Sequence, residues 1–177
     1  MATNLVSELE KLANALEAEG PSAVEVSLPT VAERIAKNLG VHVDEVAIMA
    51  VSTRWRHLYF IIPSALKNVG FIPLTSNSAL AARTARESRA EINNKFSSVR
   101  HASVFEGVKS EGTSGESIQK IISAPILYEG KVVGVMQISR KGASPANAGL
   151  DFTAEDLGKV LALCRPLGKF VTCLAEK

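Results

Sequence analysis

Leu5, Leu9, Leu12 and Leu16 recur at steps of four, three and four. They draw one apolar stripe along a helix that Gly20 and Pro21 should end. A second amphipathic helix is expected where Val31, Ile35 and Leu39 share a face, with Thr30 as N-cap, Glu33 three residues on and Gly40 as terminator. Residues 46–63 are rich in Val, Ile, Tyr and Phe and are broken by "STRWR", a pattern that predicts two strands joined by a turn. "GFIPL" reads as a third strand, "SNSALAARTARES" as a helix preceded by capping residues, and "AEIN" as a brief strand.

The clearest hairpin is "IISAPILYEGKVVGVMQIS", with Glu129-Gly130 as a two-residue turn between nearly unbroken apolar runs. Pro125 has no N–H for a ladder, so it belongs at an edge or bulge; an Ile126–Val133 register would put Gly134 opposite it, at a close approach of two backbones. The last helix should open at Thr153, with Asp156 completing a capping box, and carry Leu157, Val160, Leu161, Cys164, Leu167, Val171 and Leu174 on one side. Pro166 should kink it.

Helix, helix, strands, helix, strands and long helix make an α+β order with an antiparallel sheet that needs cover on both faces. Residues 1–20 form an amphipathic helix for packing or dimerisation, and residues 21–177 a single domain. The leucine stripes of the first and last helices could pack together and also pair across a two-fold axis, so a homodimer through the terminal helices is expected.

Twenty basic against 18 acidic residues leave a net charge of +2, no field that would by itself imply nucleic acid or an anionic membrane as partner. With no long apolar run and no leader-like start, a cytoplasmic location is expected. Cys164 and Cys173 lie nine positions apart on opposite sides of one helix and cannot pair with each other. No cluster of His, Cys or carboxylates has the spacing of a metal site, and no serine sits in a nucleophile elbow, so neither a metal nor a catalytic residue is assigned. "GVKSEGTS" has the glycine separation of a phosphate loop but Thr113 where the lysine is required.

Two segments could recognise something. In "TVAERIAKNLGVHVDEVAIM" the positions of Ala36, Gly40 and Val46 fit a helix-turn-helix, but the would-be recognition helix offers Asp44, Glu45, Ala47 and Ile48 rather than base-reading side chains. Between residues 83 and 101, Arg83, Arg86, Arg89, Lys95 and Arg100 outweigh Glu87 and Glu91. The helix start just before them, with Ser76, Asn77 and Ser78, exposes N–H and hydroxyl groups. Ser76, Asn77, Ser78, Arg83, Arg86, Lys95, Phe96, Arg100 and His101 are therefore the candidate ligand residues, and an Arg83–Glu87 pair on a solvated helix is the plain structural alternative.

"SIQKIISAPILYEGKVVGVMQISRKG" followed by "FTAEDLGKVLALCRPLGKFV" resembles the C-terminal half of a GAF domain, and the upstream helix, strand pair and "GFIPLTSNSALAARTA" are similar to its first half. The resemblance implies a profilin-like central antiparallel sheet, terminal helices on one face and a ligand pocket on the other. Members bind cyclic nucleotides, bilins, haem, amino acids or other small molecules, and many dimerise through their end helices. The cyclic-nucleotide branch locks its pocket lid with Asn-Lys, a loop, Phe, three residues and Asp-Glu. Here the matching places read Arg140-Lys141, "GASPANAGL", Phe152 and Asp156-Leu157, so Lys141, Phe152 and Asp156 stand as the lid residues while the asparagine and glutamate are replaced. Branches working through cysteine need thiols near the pocket, whereas both thiols here fall in the last helix. The resemblance thus implies a non-enzymatic sensor of a small, possibly anionic molecule, its cofactor and downstream protein partner unidentified. A scaffolding module without ligand is the alternative, and a helix-turn-helix DNA binder the less favoured one.

Overall fold

The computed structural model describes residues 2–20, 27–63, 71–96 and 117–174. Helix α1 (Ala2–Glu19) and helix α2 (Leu28–Leu39) precede a short 3-10 turn (Val43–Glu45), strands β1 (Val46–Ser52), β2 (His57–Ile62) and β3 (Phe71–Pro73), helix α3 (Leu80–Glu87), strands β4 (Glu91–Asn93), β5 (Ser117–Tyr128) and β6 (Lys131–Gly142), and helix α4 (Ala154–Leu174). The strands form one antiparallel sheet in the order β3-β2-β1-β6-β5-β4. The long β5–β6 hairpin thus sits beside β1, the first strand in sequence.

The two faces of the sheet are covered differently. Helices α1, α2 and α4 close one face over Ile48, Ile122, Ala124, Ile126, Met136 and Ile138. Helix α3 covers the other over Ala47, Met49, Leu58, Phe60, Ile121 and Val135. Leu5, Leu9 and Leu16 of α1 are buried in the first of these cores, so the stripe read from the sequence is used within the chain.

Local chemistry sets most boundaries. Gly20 and Gly40 end α1 and α2 with positive φ. The N-cap of α2 is Ser27 rather than Thr30: Pro29 fits the first turn because it has no N–H to leave unpaired, and the Thr30 N–H donates to Ser27 Oγ at 3.3 Å. Glu129 and Gly130 both adopt positive φ at the hairpin turn, the twist that suits a right-handed strand pair. Thr153 and Asp156 cap α4 reciprocally, at 2.9 Å and 3.3 Å.

Several expectations need correction. The expected strand from Val46 is present as central β1, Val46–Ser52, and Asp44 and Glu45 lie in the 3-10 turn, so the less favoured helix-turn-helix reading fails: the β-branched, Met and Ala residues that begin β1 are buried and pair into the sheet. The hairpin register is Ile126↔Gly134, with a shift between Ile126 and Leu127. Pro125 therefore faces Val135, beyond the last β4 partner at Ser123. The close approach at Gly134 is real but its partner is β1, where an added Cβ would overlap the Met49 carbonyl oxygen. Leu161 is 43% exposed, while Leu163 and Phe170 are buried, because α4 presses a wide arc onto the sheet. The helix continues through Pro166 as one element to Leu174.

Candidate functional site

Alternation along β5 and β6 makes the sheet two-sided. Facing the terminal helices are Ile122, Ala124, Met136 and Ile138, all apolar. Facing α3 are Ile121, Ser123, Val135, Gln137 and Ser139, of which the three polar side chains are wholly buried. Thr84 of α3, also buried, meets Ser123 Oγ at 2.7 Å and donates to the Leu80 carbonyl at 3.0 Å. Gln137 Nε2 donates to Ser123 Oγ at 3.2 Å. Burying hydroxyls and an amide costs stability unless they are bonded. A floor built only to hold the fold would carry the residues found on the opposite face.

The turn before α3 is self-contained. Ser76 Oγ accepts from the Ala79 N–H at 3.1 Å and lies 3.5 Å from Ser78 Oγ; Asn77 and Ser78 are exposed. Arg86 donates to the carbonyls of Leu74 and Ser76 at 2.6 and 2.7 Å, bracing that turn. Arg83 pairs with Glu91 of β4 at 2.7 Å rather than with Glu87, whose partner is Arg89 at 3.3 Å. Phe96 is buried in the core beneath α3, and exposed Lys95 follows β4. Arg100 and His101 lie outside the described residues.

The loop between β6 and α4 is tied down by groups the sequence reading did not select. Lys120 and Arg140 face each other across β5 and β6, a like-charge pair that would repel if left alone. The loop separates their roles. Lys120, whose side chain is 5% exposed, donates to the Gly149 carbonyl and pairs with Asp151 at 2.9 Å. Arg140 lies 4.8 Å over the ring of Phe152. Asn94 completes the anchor: its Nδ2 donates to the Phe152 carbonyl at 3.1 Å and its Oδ1 accepts the Phe152 N–H at 2.8 Å. Phe152 itself joins the core beneath the terminal helices.

Of the three lid residues, then, only Phe152 is gripped by this anchor. Asp156 is engaged by Thr153, and Lys141 Nζ reaches the Asp44 carbonyl at 3.2 Å. The backbone N–H of Lys141 donates to Oε2 of buried Glu45, whose Oε1 accepts the His42 N–H at 2.8 Å. A lysine just before Ile121 and Ile122, in a strand whose length and isoleucines mark it as buried, is the signal that points to Lys120. Replacing Asn94 by alanine should cost about 1 to 2 kcal/mol, two backbone bonds at once. Urea denaturation measures that loss, and amide exchange at Phe152 should quicken.

A family model for the GAF domain matches residues 24–169. The chain belongs to the GAF domain family. The same fold occurs in the GAF domain of an Acinetobacter phosphoenolpyruvate-protein phosphotransferase, with a TM-score of 0.64 at 15% identity over 97% of this chain and 93% of that one. A segment of a methyl-accepting chemotaxis protein matches with a TM-score of 0.64 at 13% identity, covering 96% of each chain. A free methionine-R-sulfoxide reductase from Neisseria meningitidis, in complex with its substrate, gives 0.59 at 16% identity over 98% of this chain and 89% of that one. No curated protein matches the sequence significantly. GAF domains are typically small-molecule-binding regulatory modules, and the GAF-fold reductases are enzymes.

Both thiols of this GAF domain lie in α4. Burial pushes the Cys164 thiol up to about 12, so at neutral pH it is a protonated core residue rather than a nucleophile. Cys173 is partly buried, its thiol also raised, first by burial and then by Glu17. Among the described residues no group of three His, Cys, Asp or Glu side chains could hold a metal ion, and no helix is long and apolar enough to cross a membrane.

Proposed function

We propose that this GAF domain is a non-catalytic sensor of a small polar molecule bound on the α3 side of the sheet. The observation that carries the reading is the polar floor of Ser123, Gln137 and Ser139, confined to the α3 face and joined to Thr84. Such groups exchange bonds with a ligand's donors and acceptors at little net cost, whereas an apolar floor could not discriminate among polar molecules. An anionic part of the ligand would lie toward the α3 start and Arg83, whose exposed pair with Glu91 can open cheaply. Exposed Lys95 belongs to the proposed rim and buried Phe96 lies beneath it, while Arg86, already bonded to two carbonyls, braces it. Phe152, held by Asn94 and Arg140, closes the neighbouring loop, and Asp156 caps the helix that follows it.

Binding would signal by favouring one of two arrangements of the β6–α4 loop, which leads directly into α4. A homodimer through the terminal helices would read that change; because α1 already buries Leu5, Leu9 and Leu16 inside the chain, exposed Leu161 of α4 supplies an apolar contact. A thiol-based reductase activity is disfavoured by the sealed position of Cys164.

Thermal-shift screening with nucleotides, amino acids and phosphorylated metabolites tests the reading. A ligand at about one hundred times its Kd should add about 2.7 kcal/mol of stability, and Gln137→Leu should abolish that gain while the protein still folds. Silence across the screen, together with a partner protein bound independently of metabolites, would establish the scaffolding alternative instead.

A further inference from the structure

The near-neutral charge of the chain conceals a local imbalance. Residues 46–86 contain no Asp or Glu, yet hold Arg54, Arg56, Lys67, Arg83 and Arg86, in a chain with 18 acidic residues. The turn between β1 and β2 projects from this acid-free quarter. There Trp55 is 65% exposed, and the Arg54 guanidinium lies 4.9 Å over its ring. The turn is firmly built: the Arg56 N–H donates to the Ser52 carbonyl at 2.8 Å, the Trp55 N–H to Ser52 Oγ at 3.2 Å, and the Leu74 N–H to the Arg56 carbonyl at 3.1 Å. Arg56 has a φ of 56°, a left-handed conformation that glycine or asparagine would adopt with less strain. On the edge strand β3, Phe71 lies opposite Tyr59, is 58% exposed and stacks on His57, the residue after the turn, with ring centroids 4.4 Å apart.

We propose that this tip, Trp55 flanked by Arg54 and Arg56, with the stacked His57 and Phe71 following it, is a peripheral contact for an anionic lipid surface. The charge decides the sign of the partner, and the shape decides its kind. Tryptophan prefers the headgroup level of a bilayer and arginines near the surface are drawn to anionic lipid. A convex turn of four residues is far short of the 20 to 30 residues that a stable protein interface needs on each side, about 800 Å², while a fluid surface needs no complementary hollow. Strand addition at this edge is unfavourable, because β3 is three residues long and includes Pro73. The contact is independent of the ligand proposed above.

Trp55 is the only tryptophan of the chain, so its emission reports the tip alone. With the full chain, vesicles of phosphatidylcholine and phosphatidylserine should shift that emission to the blue and carry the protein down on sedimentation. Pure phosphatidylcholine vesicles should do neither, and high salt should reverse both effects. Arg54→Ser and Arg56→Gly should each weaken binding about fivefold, and Trp55→Ala should remove sedimentation. Arg56→Gly is decisive, since glycine suits the backbone there and a fall in binding at unchanged thermal stability cannot come from misfolding. Equal behaviour with neutral and anionic vesicles overturns the proposal. So does a Trp55 shift produced by polyglutamate but not by vesicles, which would assign the tip to an acidic protein surface.

Discussion

Replacing Gly168 by alanine is expected to destabilise the protein by about 3 kcal/mol, although alanine is the better helix former. In an open helix the exchange should gain up to about 1 kcal/mol. At Gly168 the added Cβ would overlap the carbonyl oxygen of Leu127 and crowd the Cβ of Tyr128, and backbone atoms of a paired strand cannot move aside as a flexible side chain can. Overpacking of this kind costs about 1 to 3 kcal/mol and sometimes more; with the forfeited propensity gain included, the penalty still wins. Gly158, ten residues earlier in α4, meets nothing within 4 Å, so Gly158→Ala should raise stability by about 0.5 to 1 kcal/mol. Thermal unfolding of the two variants measures both signs, with Gly168→Ala lowering Tm by about 6 to 12 °C for a domain of this size. Equal shifts would mean that α4 does not press on β5 at this point.

The second large effect is expected at Lys120. Lys120→Ala removes the bond to the Gly149 carbonyl, the pair with Asp151 and the packing of a buried aliphatic stem. A loss of about 2 to 3 kcal/mol follows, read as a lower urea midpoint. Asp151→Asn should cost less than about 1 kcal/mol, since Asp151 is 69% exposed and its charge is screened by water. Amide exchange separates the two roles: the loop at 143–151 should exchange faster in Lys120→Ala and nearly unchanged in Asp151→Asn. Lys120→Met restores the stem without the ammonium. If it also restores slow exchange, packing rather than the Gly149 bond holds the loop.

Position explains which parts of the candidate site could be read from the chain. The hairpin turn at Glu129-Gly130 and the cap at Thr153-Asp156 are written in neighbouring residues, because a positive φ and a free N–H are satisfied within one turn of chain. Asp156 accordingly fits two readings, as a cap and as a lid residue. The structure uses it as the cap, the role that needs no distant partner. Lys120 and Asp151 are 31 residues apart, Asn94 and Phe152 58 apart. No local pattern links them, although a lysine amid apolar strand residues announces that some partner must exist.

The sequence by itself determined the order of elements, their apolar faces, most of their ends and the family resemblance. All of these follow from side-chain periodicity and from backbone chemistry that acts over a few residues. Only the tertiary structure decided that α3 lies over a polar floor, that the backbone meeting Gly134 belongs to β1, that Gly168 is pressed against the backbone of β5, and that the leucines of α1 are used inside the chain. Those facts depend on which strands become neighbours and which helix lies across them. Residues far apart in the chain then share one dry layer, where their bonding needs must be met together.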